Sequence, residues 1–236
     1  MTKTPLTTQP FHLLALEASG DACSVALLTN AGTDQERVIA SYKKAPMQQA
    51  KLMLPAIQAL LDSASLKMDQ LHAVAYGCGP GSFTGLRLVC SVVQAIGFTN
   101  NIPAIPVSSL AAIAQSAHLE YQWKQVLVAF DARKGQLYWG AYQLNESGCM
   151  ELMGEEKLMA PEEIDLLAFA GWRGVGDGWR VYRETLSQRG KLPVQIGMIE
   201  SPSAEAILTL ARQKFANKVW ISASDAIPVY LNPFKR

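Results

Sequence analysis

The 236-residue sequence has no CxxC pair, no HxxxH spacing and no apolar run near the ~20 residues that a bilayer span requires. Its four cysteines, Cys23, Cys78, Cys90 and Cys149, are widely scattered, which argues against a disulfide framework and a zinc site and fits a reducing cytoplasm. Charged residues make up only 17% of the chain and the net charge is +1, so it has no electrostatic footprint for gripping nucleic acid unaided. Residues 1–10 carry one cation, Lys3, and no apolar stretch behind a basic cluster, so a solvated N-terminus is expected rather than a signal peptide. What is plentiful is apolar side chain: 49% of residues, enough for a packed interior and unlike a disordered chain.

Periodicity predicts strands over 12–19 and 22–29 around a Gly20-Asp21 turn, and a third over 37–42. Residues 48–63 then switch to helical spacing through Met53, Ile57, Leu60 and Leu61, with Pro55 marking a late start or a kink. A short strand at 71–76 leads through a glycine-rich turn into a helix over 83–98. A strand over 102–107 and a helix capped by Ser108 and running to about 118 follow. From residue 125 the pattern restarts. Strands are predicted over 126–130 and 136–144, short ones over 150–159, a helix from Pro161 through 168, and a strand over 172–176. A last helix spans about 204–215.

The order strand, acid, turn, strand, strand, helix, strand thus occurs twice, with Glu17 and Asp131 as the acids that end the first strands. Duplicated meanders with crossover helices predict an α/β, actin-like or RNase-H-like two-lobed fold, each lobe a mixed sheet with flanking helices. The expected division is an N-terminal lobe over 1–107, joined by the helix at 203–217, then a smaller lobe over 108–202 and a tail over 218–236.

The segment Gly77-Cys-Gly-Pro-Gly-Ser-Phe-Thr-Gly-Leu-Arg87 joins a strand to a helix, where backbone N–H groups and the positive helix end can hold an anion. It is no P-loop, because no lysine follows a candidate glycine. It is no Rossmann fingerprint, because the third glycine position falls on Ser82 or Thr84. It is no nucleophile elbow, because Gly81 directly precedes Ser82. The structural explanation is the stronger one: Ser82 caps the helix, Gly79 and Gly81 permit a tight turn, and Gly85 lets the helix lie close to the sheet. Direct ligand contact through Ser82, Thr84 or Arg87 is the alternative.

In an actin-like ATPase the two strand-turn-strand loops cradle phosphates with small residues. Here they read Glu17-Ala-Ser-Gly-Asp21 and Asp131-Ala-Arg-Lys-Gly135, which place a repelling Asp21 and two long cations where close backbone approach is needed. Glu17 and Asp131 are therefore either strand-end acids or remnants of a metal-nucleotide site. His12, His72 and His118 have no ligand spacing, no residue pair argues for a Ser–His–acid triad, and the five tryptophans are too scattered to be a base-stacking platform.

On a helical projection, Arg87, Ser91 and Gln94 share a narrow polar sector, while eight apolar residues of 86–96 fill an arc of roughly 220°. A surface helix needs only a ~100° stripe. This helix must bury a second side, against the preceding helix, a partner, or both.

Gly79-Pro-Gly-Ser-Phe-Thr-Gly-Leu-Arg87, Ile105-Pro-Val-Ser-Ser-Leu-Ala-Ala111, Phe130-Asp-Ala-Arg133 with Gln136-Leu-Tyr-Trp139, and Ile227-Pro-Val-Tyr-Leu231 together resemble the TsaB (YeaZ) family, in register from about residue 12 to 232. The resemblance implies a catalytically silent partner in the synthesis of threonylcarbamoyladenosine, next to the anticodon of tRNAs that read ANN codons. It implies pairing with a TsaD-like catalytic subunit, a TsaE-like ATPase in the assembly, homodimers when alone, and contact with tRNA mainly through the complex. The interface would map onto Met53, Ile57, Leu60, Val89, Val92, Val93 and Ile96. No cofactor is expected on this chain alone, with ATP, magnesium and a catalytic metal on the partners. Two positions depart from the family pattern: Glu17 stands where aspartate is usual, and Gln49 where many members have histidine. The competing expectation is a stand-alone ATP-dependent phosphotransferase or a peptidase-like hydrolase.

Overall fold

A computed structural model describes residues 9–231; the expectations for residues 1–8 and for the end of the tail at 232–236 lie outside the described residues. β1 (Phe11–Glu17), β2 (Ala22–Ala31) and β3 (Arg37–Lys44) form an antiparallel meander. α1 (Gln49–Ser63) leads to β4 (Ala73–Gly79), α2 (Phe83–Asn100) and β5 (Ala104–Ser108). These strands make a sheet ordered β3-β2-β1-β4-β5, with β4 parallel to both β1 and β5. β1, β2 and β4 are near-continuous apolar runs because both of their faces are covered. β3, at the edge, carries Arg37, Lys43 and Lys44, charges that discourage edge-to-edge pairing.

The second sheet repeats the plan. β6 (Gln125–Arg133), β7 (Gln136–Leu144) and β8 (Met150–Leu152) form the meander, β9 (Lys157–Met159) also pairs with β7, and β10 (Arg173–Val175) runs parallel to β6. α3 (Ser109–Tyr121) crosses from β5 to β6. α4 (Gly178–Val181) and α5 (Arg183–Ser187) follow β10, and α6 (Ala204–Ala216) returns to the first sheet.

One face of the first sheet is covered by α1 and α2 through Met53, Ile57, Val89 and Val93, and the other by α6 through Ile207, Leu208 and Ala211. α3 covers one face of the second sheet through Leu110, Ile113 and Ala117, and Trp179, Leu186 and Ile164 cover the other around Trp139. Ser82 and Ser108 cap their helices as expected, Ser82 accepting from the Gly85 N–H and Ser108 from Leu110 and Ala111, and Ser203 likewise accepts from Ala206 at the start of α6. α1 runs through Pro55, whose missing hydrogen bond to the Lys51 carbonyl falls on the exposed side of the helix.

The helix expected over 161–168 is absent. Two 3₁₀ turns, Pro161–Glu163 and Leu167–Phe169, stand there instead. Ile164 is extended, and Asp165 Oδ1 accepts from the Leu167 N–H at 2.9 Å, so a side-chain turn replaces the helical ladder.

His12 and His72 brace the first sheet. The His72 Nδ1 accepts from the His12 N–H and the His12 Nδ1 from the Asn30 N–H, both at 3.1 Å, so each ring must keep that nitrogen unprotonated. Burial, and then the neighbouring His72, lower the His12 pKa below 6.5. Above that value folded and unfolded chains both hold His12 neutral; below it the unfolded chain takes a proton that the folded one refuses. This contribution to stability is therefore lost as the pH falls through the depressed folded value. Urea melts between about pH 7.5 and 5 should show a steeper loss for the native chain than for His12→Asn; parallel profiles would contradict the assignment.

Candidate functional site

Between the lobes lies a cleft of about 360 Å³. The first loop contributes Ser19, Gly20 and Asp21, the glycine turn Gly81, Ser82 and Phe83, and the second loop Asp131, Ala132 and Arg133. Phe130, Tyr138, Asp177 and Ser201 complete it. The structure thus brings the glycine turn and both strand-turn-strand loops to one place.

The walls are tied to each other. The Ser82 N–H donates to the Ser19 carbonyl at 2.7 Å, and a Cβ on Gly81 would stand 2.6 Å from the Ser19 Cβ. The glycine turn rests directly on the first loop. Gly79 has φ +115°, with the Val229 carbonyl 2.5 Å from where its Cβ would be, and only glycine fits there. Gln49 Nε2 donates to the Gly20 carbonyl at 3.1 Å, so the residue that replaces histidine braces the first loop. Ser19 Oγ is buried without a hydrogen-bond partner among the described residues.

Glu17 does not reach the cleft. It is 1% exposed, accepts from the Ser19 N–H and from Ser109 Oγ, and lies under Gly77. Burial raises its pKa, against the opposing pull of the Ser19 and Ser109 hydrogen bonds. The neutral acid is therefore favoured in the fold. Such a carboxyl contributes stability that is fully present below the ordinary value of 4.5 and is lost as the pH rises through the raised folded value. Glu17→Gln, which keeps an acceptor for Ser19, should therefore raise stability at neutral pH. The gain should vanish in acid. A destabilised variant at pH 7 in thermal melts would refute this.

Asp131 lies in the cleft but is already engaged. Tyr182 Oη donates to its Oδ1 at 2.8 Å, the Arg133 N–H donates to the same oxygen at 2.9 Å, and the Arg133 guanidinium lies 3.3 Å from Oδ2. Its own N–H donates to Asp177 Oδ1 at 2.8 Å. Burial, then the charge of Asp131, raise the Asp177 pKa, while that backbone hydrogen bond lowers it. Burial and the Asp131 carboxylate push Tyr182 up to about 12. Arg133 supplies the positive charge in the second loop from its own side chain. Among the described residues no three His, Cys, Asp or Glu side chains converge as a metal would require.

No cysteine is poised as a thiolate. All four cysteines are free and buried, and burial pushes Cys78 up to about 12 and Cys90 to about 11, far from a thiolate at neutral pH. His118 is held through Nδ1 on the Trp123 carbonyl at 3.0 Å.

α2 does bury its second side, but much of the cover is the chain's own. α1 meets it along Met53 and Ile57, and the segment after α6 covers another flank: Ala223 packs on Gly97, Gln94 Nε2 donates to the Ala226 carbonyl at 3.0 Å, and the Val229 N–H donates to the Cys78 carbonyl at 2.7 Å. Tyr230 stacks on Phe83, and the Arg87 guanidinium lies 3.7 Å from the Phe83 ring centre. Thr84 is exposed beside Phe83, and Gly85 packs on the Ala18 carbonyl.

This corrects the mapped interface. Met53, Ile57, Leu60, Val89, Val93 and Ile96 are 0–8% exposed and belong to the core, because they are the residues of α1 and α2 that turn toward β2 and β4. Of the seven, only Val92 is partly open. The face left uncovered is Leu54 on α1 with Leu88, Val92, Ala95 and Phe98 on α2, where Phe98 is 90% exposed. Sequence reasoning also missed Asp177, Tyr138, Tyr182 and Ser201. The Gly176-Asp-Gly178 turn was a usable signal for Asp177, whereas nothing local marked the others.

Two lobes of the same plan, each a mixed sheet with flanking helices and with a cleft between them, define a two-lobed actin-like fold. The family model for TsaD, tRNA N6-adenosine threonylcarbamoyltransferase, matches residues 36–184. The TsaB proteins of Escherichia coli and Haemophilus influenzae, each a "tRNA threonylcarbamoyladenosine biosynthesis protein", are 35% and 34% identical to the chain. The first alignment covers 93% of this chain and 94% of the relative, the second 94% of both. YeaZ from Pseudomonas aeruginosa superposes with a TM-score of 0.83 at 38% identity, covering 93% of this chain and all of that one. A second Pseudomonas aeruginosa structure, of a protein described as similar to peptidase YeaZ, gives 0.86 at 38% identity over 94% of this chain and all of that one. The chain belongs to the TsaB family. No helix among the described residues is long and apolar enough to cross a membrane.

Proposed function

We propose that this chain acts in the synthesis of threonylcarbamoyladenosine in tRNA as a non-catalytic subunit that docks on a TsaD-like enzyme and stabilises it. The observation that carries this reading is the contrast between two surfaces. The cleft, where an actin-like enzyme would work, has its loops packed on each other, Glu17 sealed below and Asp131 held by Tyr182 and Arg133. The Leu88–Val92–Ala95 stripe, flanked by Leu54 and Phe98, is instead open at the spacing of one helical face. In this reading ATP, magnesium and the catalytic metal sit on the TsaD-like and TsaE-like partners, tRNA is held mainly by the assembly, and the chain pairs with itself through the same stripe when its partner is absent. The setting is cytoplasmic.

Co-expression with a TsaD-like subunit followed by size-exclusion chromatography tests the docking, and failure to co-elute refutes it. The second reading, a stand-alone phosphotransferase or peptidase-like hydrolase, has the two-lobed plan and the description of one solved relative in its favour. Calorimetry of the isolated chain with Mg-ATP separates the two. Binding that is lost in Glu17→Ala and Asp131→Ala would establish the second.

A further inference from the structure

Ser108 and Ser109 stand where the chain leaves the first sheet and enters α3, which packs against α6 on one side and against β6 and β7 on the other. Their hydroxyls go to opposite lobes. Ser109 Oγ donates to Glu17 Oε2 at 3.5 Å, at the end of β1. Ser108 Oγ donates to Glu156 Oε1, in the loop between β8 and β9, while it accepts from the Leu110 and Ala111 N–H groups. The same Glu156 oxygen accepts from Tyr142 Oη of β7 at 2.5 Å.

No cation within salt-bridge distance balances either acid among the described residues. Both lie near the buried Cys78 thiol, which burial chiefly raises; the nearby Lys214 ammonium opposes that rise, and Glu156 and Glu17 add to it. Withdrawing the Glu17 carboxyl from water without a cation in contact is costly, and the half-buried Glu156 faces it from the other side of the same dipeptide. Core packing does not require it, since each acid contacts the serines through hydrogen bonds. Gly77 is part of the same device: a Cβ there would lie 1.7 Å from Glu17 Oε2, so the strand leaves a notch for the acid.

We propose that Glu17 and Glu156 form a two-sided latch on Ser108-Ser109, which fixes how far the second lobe closes on the first and so sets the width of the cleft between Gly81 and Asp131. Glu17 holds the start of α3 to the first sheet, and Glu156, itself held by Tyr142, holds it to the second. Neither acid acts on a ligand; both position α3.

The test is the distance between nitroxide labels on Lys51→Cys in α1 and Arg183→Cys in α5, both exposed, in the otherwise complete chain; the four native cysteines are buried. Glu156→Ala and Ser109→Ala should each give a longer and broader distribution. Glu156→Gln, whose amide oxygen accepts the same two hydroxyls, should reproduce the parent distribution. Ser109→Ala removes one oxygen and decides the matter alone if Glu156→Ala does not fold. Alanine variants that superpose on the parent, or a Glu156→Gln shift as large as that of Glu156→Ala, would overturn the latch.

Discussion

Val92→Glu should abolish co-elution of this chain with a TsaD-like subunit while moving its melting temperature by no more than a few degrees. Val92 is partly open on α2, one turn from Leu88 and close to Ala95. In the free chain a glutamate there can turn its carboxylate to water at little cost. Inside a closed apolar interface it would be a buried charge without a counter-ion, at about 3 kcal/mol or more, and hence more than a hundredfold in Kd. The neighbouring substitution makes the control. Val93 is 0% exposed and packs against β4, so Val93→Glu should prevent folding outright. Two adjacent valines, one lost to binding and one lost to folding, would fix which face of α2 docks. Unchanged co-elution of Val92→Glu would remove that face from the interface.

Those valines also mark what the sequence could and could not reveal. The count of apolar residues around α2 correctly demanded burial on two sides, because a 3.6-residue period turns composition directly into angle. It could not say which chain supplies the cover. The cover comes partly from Ala223, Ala226 and Val229, more than a hundred residues away, through one small side chain and main-chain hydrogen bonds that a helical projection of α2 does not register. The duplicated strand order was legible because alternation and turns are local. The cleft was half legible: the acids at the end of β1 and near the end of β6 could be located, but their fates differ for tertiary reasons. Glu17 vanishes into a notch made by Gly77, whereas Asp131 stays at the surface of the cleft with Tyr182, fifty-one positions on. The short turns at 161–169 were misjudged because an aspartate competing for backbone N–H groups outweighed a favourable proline start.

Gly85→Ala and Gly77→Ala should both be strongly damaging, for different reasons and with different remedies. At Gly85 a Cβ would lie 1.8 Å from the Ala18 carbonyl oxygen. That obstacle is backbone, fixed by β1 and by the first loop, so α2 must lift from the sheet and forfeit part of the packing of Leu86 and Val89. A loss of about 3 kcal/mol or more is expected, at the upper end for overpacking, and no single second change should restore it. At Gly77 the obstacle is the Glu17 carboxylate, a side chain. Combining Gly77→Ala with Glu17→Ala removes the clash, so the double variant should be more stable than Gly77→Ala alone. In a double-mutant cycle the two changes should couple by more than ~1 kcal/mol. The comparison separates two uses of glycine in one turn: close approach of a helix to a strand, and accommodation of a buried acid. Additive losses at Gly77 and Glu17 would mean that the notch and the carboxylate are independent, and the longer acid at position 17 would then have no bearing on why the turn needs glycine.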